Sequence, residues 1–173
     1  IQELASLEQR LEMAEAVAFV AGAGNKTAKY QSNDVEGIGV AAVSHGYQDV
    51  YGFELSSGRY FSILESATGK PVAIIGDNIA QSLFEGENPL GKSIKFMGQK
   101  ATIIGVFEKA GDSVIGSSDD DNIVIPVKFG RNFIRLNSES TNPMFMVKAM
   151  QGVSNEQLKD DLTRVMRSVR RLS

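Results

Sequence analysis

Gly86-Glu-Asn-Pro-Leu-Gly91-Lys92-Ser93 matches the phosphate-binding pattern G-x-x-x-x-G-K-[ST] letter for letter. A phosphate loop works when a strand delivers a loop whose amides, with the N-terminus of the following helix, surround the anion. The apolar spacing here predicts a helix before Gly86 and an alternating strand from Ser93, the wrong element on both flanks. Pro89 also lacks an amide hydrogen, so nucleotide binding is not expected. Gly22-Ala-Gly24-Asn25-Lys26-Thr27 hints at a second phosphate loop. Asn25 separates glycine from lysine and no third glycine completes a dinucleotide fingerprint, so a tight turn between strands is expected there.

Asp119-Asp120-Asp121, with Asp112 nearby, offers carboxylates for a divalent cation. Calcium loops alternate their ligands around a glycine bend, and three adjacent aspartates do not, so the run reads as a solvated loop. His45 is the single histidine, leaving any triad or histidine metal cluster to one residue, and it reads as structural. Glu85 and Glu87 sit on a turn among charged neighbours with nothing to raise a pKa. No G-x-S-x-G elbow is present, and there is no cysteine for thiolate chemistry. The expectation is a chain with no catalytic residue, no metal site and no cofactor of its own.

The chain has 173 residues, enough for one domain with a subdomain and a proper core. It is 42% hydrophobic and 23% charged, ordinary for a globular domain. Eighteen Lys and Arg against 21 Asp and Glu give a net charge of −3, which argues against a nucleic-acid surface. Lack of cysteine leaves the redox compartment open. No apolar run approaches the ~20 residues that span a bilayer. Because the chain opens on Ile1 and Gln2, without an initiator Met or a signal peptide, it is expected to be an excised piece of a longer protein.

Leu4, Leu7, Leu11 and Ala14 at helical spacing predict an amphipathic helix over the first dozen residues. Residues 16–21 read as a buried strand, 22–25 as a turn, 27–31 as an exposed strand and 35–43 as a further strand. A short helical turn is expected over 45–52. Val72 to Ile75, an unbroken apolar run between Pro71 and Gly76, reads as a buried strand. Asp77 is the candidate N-cap of a helix whose Ile79, Ala80 and Leu83 share a face. Ser93 to Phe107 reads as a hairpin turning at Met97-Gly98-Gln99. Residues 110–121 read as a polar loop, and 123–125 as a strand that Pro126 ends or places at an edge. A short helix is expected around 129–133 and a strand over 144–150. The last helix carries a capping box, Ser154 with Gln157, and an apolar stripe of Leu158, Leu162, Val165, Met166 and Val169. Arg164, Arg167, Arg170 and Arg171 sit towards its C-terminus, where cations suit the helix dipole. Helices at both ends with strands between them predict an α+β sandwich whose termini meet on one face of a sheet.

Three segments between Gly58 and Gly111 resemble the extracytoplasmic core domain of MacB/FtsX-type ABC transporter permeases, the MacB branch in particular. Gly58-Arg59-Tyr60-Phe61-Ser62, with Glu65 following, is similar to the family's G-R-x-F-[ST]. Pro71-Val72-Ala-Ile-Ile75-Gly76 with Ile79-Ala80 and Leu83-Phe84 is similar to P-V-A-V-I-G-x-x-[IV]-A-x-x-L-F. Asn88-Pro89-Leu-Gly91-Lys-Ser-Ile94, then Gly98 and Ile103-Ile-Gly105-Val106, is similar to N-P-[IL]-G-K-x-I-x-[IV]-x-G-x-x-[FY]-x-[VI]-I-G-V. Ala101 stands where the family carries a bulky residue. These signature residues are expected to be structural, with interaction residues unassigned.

The resemblance implies a single periplasmic core domain over 1–173. A porter-like α/β subdomain would be formed by 1–55 plus 123–173, and a smaller inserted β-rich subdomain by 56–122. It implies a non-catalytic part of a transport machine, lying between membrane helices on the periplasmic or exterior face of the cytoplasmic membrane. ATP would be bound by a separate cytoplasmic ATPase. Its other expected partners are its own transmembrane helices, a second permease copy and a periplasmic adaptor protein; no nucleic acid is expected. The function it implies is mechanotransmission, coupling ATP hydrolysis to movement outside the membrane for export or extraction of substrates. A free-standing extracytoplasmic ligand-binding protein is the alternative, and an enzyme of unknown type a distant third. The fragment by itself is expected to be a monomer.

Overall fold

The computed structural model describes residues 2–109 and 119–171. The elements run α1 (Gln2–Arg10), β1 (Ala14–Tyr30), β2 (Asn33–Val43), α2 (Tyr47–Tyr51), β3 (Leu55–Gly58), α3 (Ile63–Thr68), β4 (Val72–Ile75), α4 (Asp77–Phe84), β5 (Ser93–Phe96), β6 (Gln99–Phe107), β7 (Asn122–Pro126), α5 (Val127–Gly130), β8 (Met144–Ala149) and α6 (Asn155–Arg171). The class is mixed α+β, as expected.

The eight strands of the described residues join one sheet in the order β2-β7-β4-β6-β5-β1-β8, with β3 on β6. Because β1 also pairs with β2, the path from β2 through β7, β4, β6 and β5 to β1 closes on itself like a small barrel. Closure falls to the far end of β1, where Ala28 and Lys29 face Phe96 and Lys95. The near end of β1 pairs instead with β8, from Ala14 opposite Ala149 to Val20 opposite Met144.

Strand β4 explains why Val72 to Ile75 has no polar alternation. Val72 and Ile74 enter a cluster with Phe61, Phe107 and Val124, while Ala73 and Ile75 enter another with Ile79, Leu83, Ile103 and Ile123. A strand covered on both faces needs apolar residues at every position. The second cluster is the main core, and α4 lies on it through Ile79, Ala80, Leu83 and Phe84. A third cluster joins Leu4, Leu7 and Leu11 of α1 to Val165 of α6 and to Val17 and Phe19 of β1.

Several expectations are corrected. Residues 22–25 do not turn the chain: β1 is one strand of 17 residues with register shifts between Ala23 and Lys26 and between Lys26 and Ala28. Asn25 takes a φ of 54° there, and glycine and asparagine inside a strand mark a bulge as readily as a turn. The N-cap of α4 is Gly76, with no side-chain cap bond, and Asp77 is the first helical residue, where its charge still suits the dipole. Pro126 ends β7 and begins α5, yet β7 is no edge, lying between β2 and β4. The short helix is Val127–Gly130 rather than 129–133. The loop expected over 110–121 falls mostly outside the described residues, as does Asp112. Its described end, Asp119–Asp121, forms a 3₁₀ turn with Asp120 buried, so the run is not simply solvated.

The subdomain boundaries proposed at 55/56 and 122/123 fall within this continuous sheet. Strand β4 of the middle segment pairs with β7, and β5 with β1, each from the flanking segments.

Candidate functional site

The phosphate-loop look-alike is a chain reversal between α4 and β5. Four amides of its arc are already engaged within the chain. Glu87 N donates to Phe84 O at 2.8 Å, Leu90 N to the Asn88 side-chain oxygen at 3.0 Å, Gly91 N to Ile103 O at 2.8 Å and Lys92 N to Pro89 O at 3.1 Å. Asn88 and Pro89 set the reversal, and Gly91 sits at a φ of 80°. The Lys92 ammonium pairs with Glu87 and lies 5.5 and 5.3 Å from the ring centres of Tyr30 and Phe84. That lysine closes the hairpin onto β1 and α4, a cation–π role rather than a phosphate contact.

The G-R-x-F-S segment makes one unit around a buried carboxylate. Gly58 sits at a φ of 79°, and a Cβ there would lie 2.2 Å from the Ile104 carbonyl oxygen; one on Gly105 would lie 2.8 Å from Arg59 O. Only glycines let β3 and β6 come this close. Arg59 N donates to Ile104 O at 2.9 Å, and its guanidinium forks onto Glu65, Nη1 to Oε2 at 2.8 Å and Nη2 to Oε1 at 3.0 Å. Glu65 is 6% exposed, and its carboxylate also accepts from Ser62 N at 2.9 Å and Lys70 Nζ at 3.3 Å. The Arg59 hydrogen bonds, set against burial and joined by Ser62 and Lys70, hold Glu65 well below the usual carboxylate range. Ser62 Oγ accepts from Glu65 N, completing the capping box of α3. Phe61, 1% exposed, anchors the unit in the core.

The other signature residues lie in the core or at turns. Val72 and Ile75 are buried in β4, Leu83 and Phe84 on α4, and Ile94 on β5. A Cβ on Gly76 would lie 2.1 Å from Asp120 O, so the aspartate turn crosses directly over the start of α4. Met97 and Gly98, at φ 49° and 74°, form a two-residue turn between Phe96 and Gln99, the sign pattern of a type I′ hairpin.

The remaining candidates do not converge on chemistry. Tyr51 donates to Asp119 Oδ1 at 3.5 Å and Asn78 to Asp121 Oδ1 at 3.0 Å. Burial raises Asp119 above its ordinary value. Among the described residues no group of three or more His, Asp or Glu is placed to hold a metal ion. His45 packs against Tyr60 and Phe61, ring centres 5.8 and 6.2 Å away, and its Nδ1 is buried without a hydrogen-bond partner among the described residues.

Sequence reasoning missed Asp161. This 6% exposed side chain of α6 accepts from Glu12 N at 3.0 Å and Met13 N at 3.2 Å, and pairs with Arg164 at 2.6 Å. Burial pushes its carboxyl up, but the Arg164 hydrogen bond and the two amides outweigh that and hold it below the ordinary value. Arg10 Nη1 donates to Ser168 Oγ at 3.2 Å. With Glu12 and Met13 at Asp161 and Arg10 at Ser168, α1 and α6 run antiparallel, and the two ends of the described chain emerge together. The signal for Asp161 was an acidic residue three before Arg164 on the apolar side of a helix, but its backbone partners lie 148 and 149 residues away.

No helix among the described residues is long and apolar enough to cross a membrane. The fold is shared with two crystal structures. The periplasmic region of MacB from Actinobacillus actinomycetemcomitans matches with a TM-score of 0.79 over 97% of this chain and 72% of that one, at 19% identity. The extracellular domain of the ABC-type transporter YknZ from Gram-positive bacteria matches with a TM-score of 0.71 over 92% and 76%, at 24% identity. The fold is therefore the one these two domains share. In sequence, the macrolide export ATP-binding/permease protein MacB of Marinobacter nauticus is 29% identical over 107 residues, 62% of this chain and 16% of that protein. The chain thus corresponds to a small part of that relative. The model of the MacB-like periplasmic core domain matches residues 1–165, and the chain belongs to that family.

Proposed function

We propose that this domain is a mechanical relay on the outer face of the cytoplasmic membrane, part of an integral membrane permease. Membership of the MacB-like family supports the extracytoplasmic placement, and the free-standing binding protein is not favoured. ATP is bound and hydrolysed on a separate ATPase domain or subunit, and this domain carries no cofactor. A second permease copy and a periplasmic adaptor are its partners, and export or extraction of a substrate is the work performed.

The observation that carries this reading is the α1–α6 pair. The two helices pack through Leu4, Leu7, Leu11 and Val165, and Asp161 ties α6 to the corner between α1 and β1. Membrane helices continuing from both ends would pull on one joined unit, and β1 would carry the displacement along its 17 residues to the closed end of the sheet. Asp161→Ala in the intact permease tests this. ATP hydrolysis is expected to persist while export falls at least several-fold. Export at the unaltered rate, with the variant folded, would contradict the relay.

A further inference from the structure

A cleft of about 800 Å³ lies between α1, β1 and the segment after α5, lined by Glu3, Phe19, Arg131, Ile134, Arg135 and Leu136. Among the described residues neither the Arg131 nor the Arg135 guanidinium has a hydrogen-bond or ion-pair partner, whereas Arg10, Arg59 and Arg164 all do. Two guanidiniums on one cleft, with Glu3 the carboxylate on its lining, are a local excess of positive charge on a chain of net charge −3.

The backbone presenting them is fixed. Arg131 N donates to Val127 O at 2.9 Å, Ile134 N to Gly130 O at 2.8 Å and Ser138 N to Arg135 O at 3.1 Å. The buried Thr141 hydroxyl lies 2.8 Å from both Arg135 O and Ser138 O, stapling the far side of the loop. Ile134, 4% exposed, pins the middle. Asn137 and Ser138 add neutral polar groups to the lining.

We propose that this cleft holds the phosphate of an anionic lipid headgroup at the membrane surface. Guanidinium forks match phosphate oxygens two at a time, and unpaired arginines bind without first breaking an ion pair. The membrane is the source because Glu3, in the first turn of α1, lines the cleft. The cleft therefore opens beside the end where α1 begins and the antiparallel α6 finishes. This step rests on the permease reading, in which both ends lead into the bilayer.

Co-flotation of the 173-residue chain with vesicles tests the site. Recovery is expected with vesicles of phosphatidylcholine and phosphatidylglycerol and not with phosphatidylcholine alone, against the chain's net negative charge. Arg131→Gln with Arg135→Gln should lower the partition about thirty-fold at unchanged melting temperature, and Lys100→Gln should leave it unaltered. No recovery with the anionic vesicles, or equal recovery of the double variant, would overturn the proposal. Inorganic phosphate bound as tightly as vesicles would overturn it in favour of a soluble anion, and preferential binding of a polyglutamate peptide in favour of a protein partner. If the vesicle arm fails while Asp161→Ala still separates hydrolysis from export, this site falls and the relay stands.

Discussion

Glu65 shows how a single carboxylate organises the signature segment. It gathers Arg59, Lys70 and the Ser62 amide, and links the exit of β3 to the start of α3. Replacing it by Gln should cost about 1.5–3 kcal/mol at neutral pH, the range for hydrogen bonds to charged groups. Its carboxyl is lowered in the fold, so this stabilisation is present above the ordinary carboxylate pKa and is lost as pH falls through that value towards the lowered one. Urea denaturation at about pH 7 and about pH 3 should show the gap between wild type and Glu65→Gln narrowing at the lower pH; a constant gap would contradict the assignment. Backbone approach makes a second prediction at this scale. Gly58→Ala forces a Cβ to 2.2 Å from a carbonyl, whereas Gly98→Ala, at a similar φ, meets nothing within 4 Å. The first should cost more than 2 kcal/mol and the second about 1 kcal/mol, since only the first adds a clash to the left-handed penalty. The glycines, Arg59 and Glu65 were all legible in sequence as a motif. Their shared geometry was not, because the partner strand β6 lies some fifty residues on.

At the scale of elements, periodicity served best where an element closes its own pattern. The last helix carried cap, stripe and length together, and both capping-box bonds form, Ser154 N to Gln157 Oε1 at 2.9 Å and Gln157 N to Ser154 Oγ at 3.2 Å. Ser154→Ala should cost about 1 kcal/mol, read as a shift in the urea midpoint; no shift would contradict the cap. The same signature, Ser62 with Glu65, marks α3, but the exposed Ile63 and Leu64 break the amphipathic pattern that would announce a helix there. Strand β1 failed for the opposite reason. Gly22, Gly24 and Asn25 are turn residues by type, and only pairing with β2 on one side and with β8 and β5 on the other keeps the chain extended through them. That pairing is tertiary, and no local spacing reports it.

For the whole molecule, the α+β class followed from helices at the ends and strands between. Closure of the sheet did not, because it depends on β1 being long enough to meet β8 at one end and β5 at the other. The chain alone is expected to be a monomer in light scattering, since partner contacts in the proposed assembly come largely from membrane helices and the ATPase; a stable dimer mass would contradict that.

This chain carries no cysteine of its own, so one label can be placed in it within an intact permease whose cysteines elsewhere are replaced. Labels at Lys100→Cys in two copies, on the hairpin at the closed end of the sheet, would report the distance between their outer tips. The relay predicts that this distance changes between nucleotide-free and ATP-bound states, and that Asp161→Ala suppresses the change. An inter-label distance that stays the same in both states while the permease exports its substrate would contradict the account at its centre.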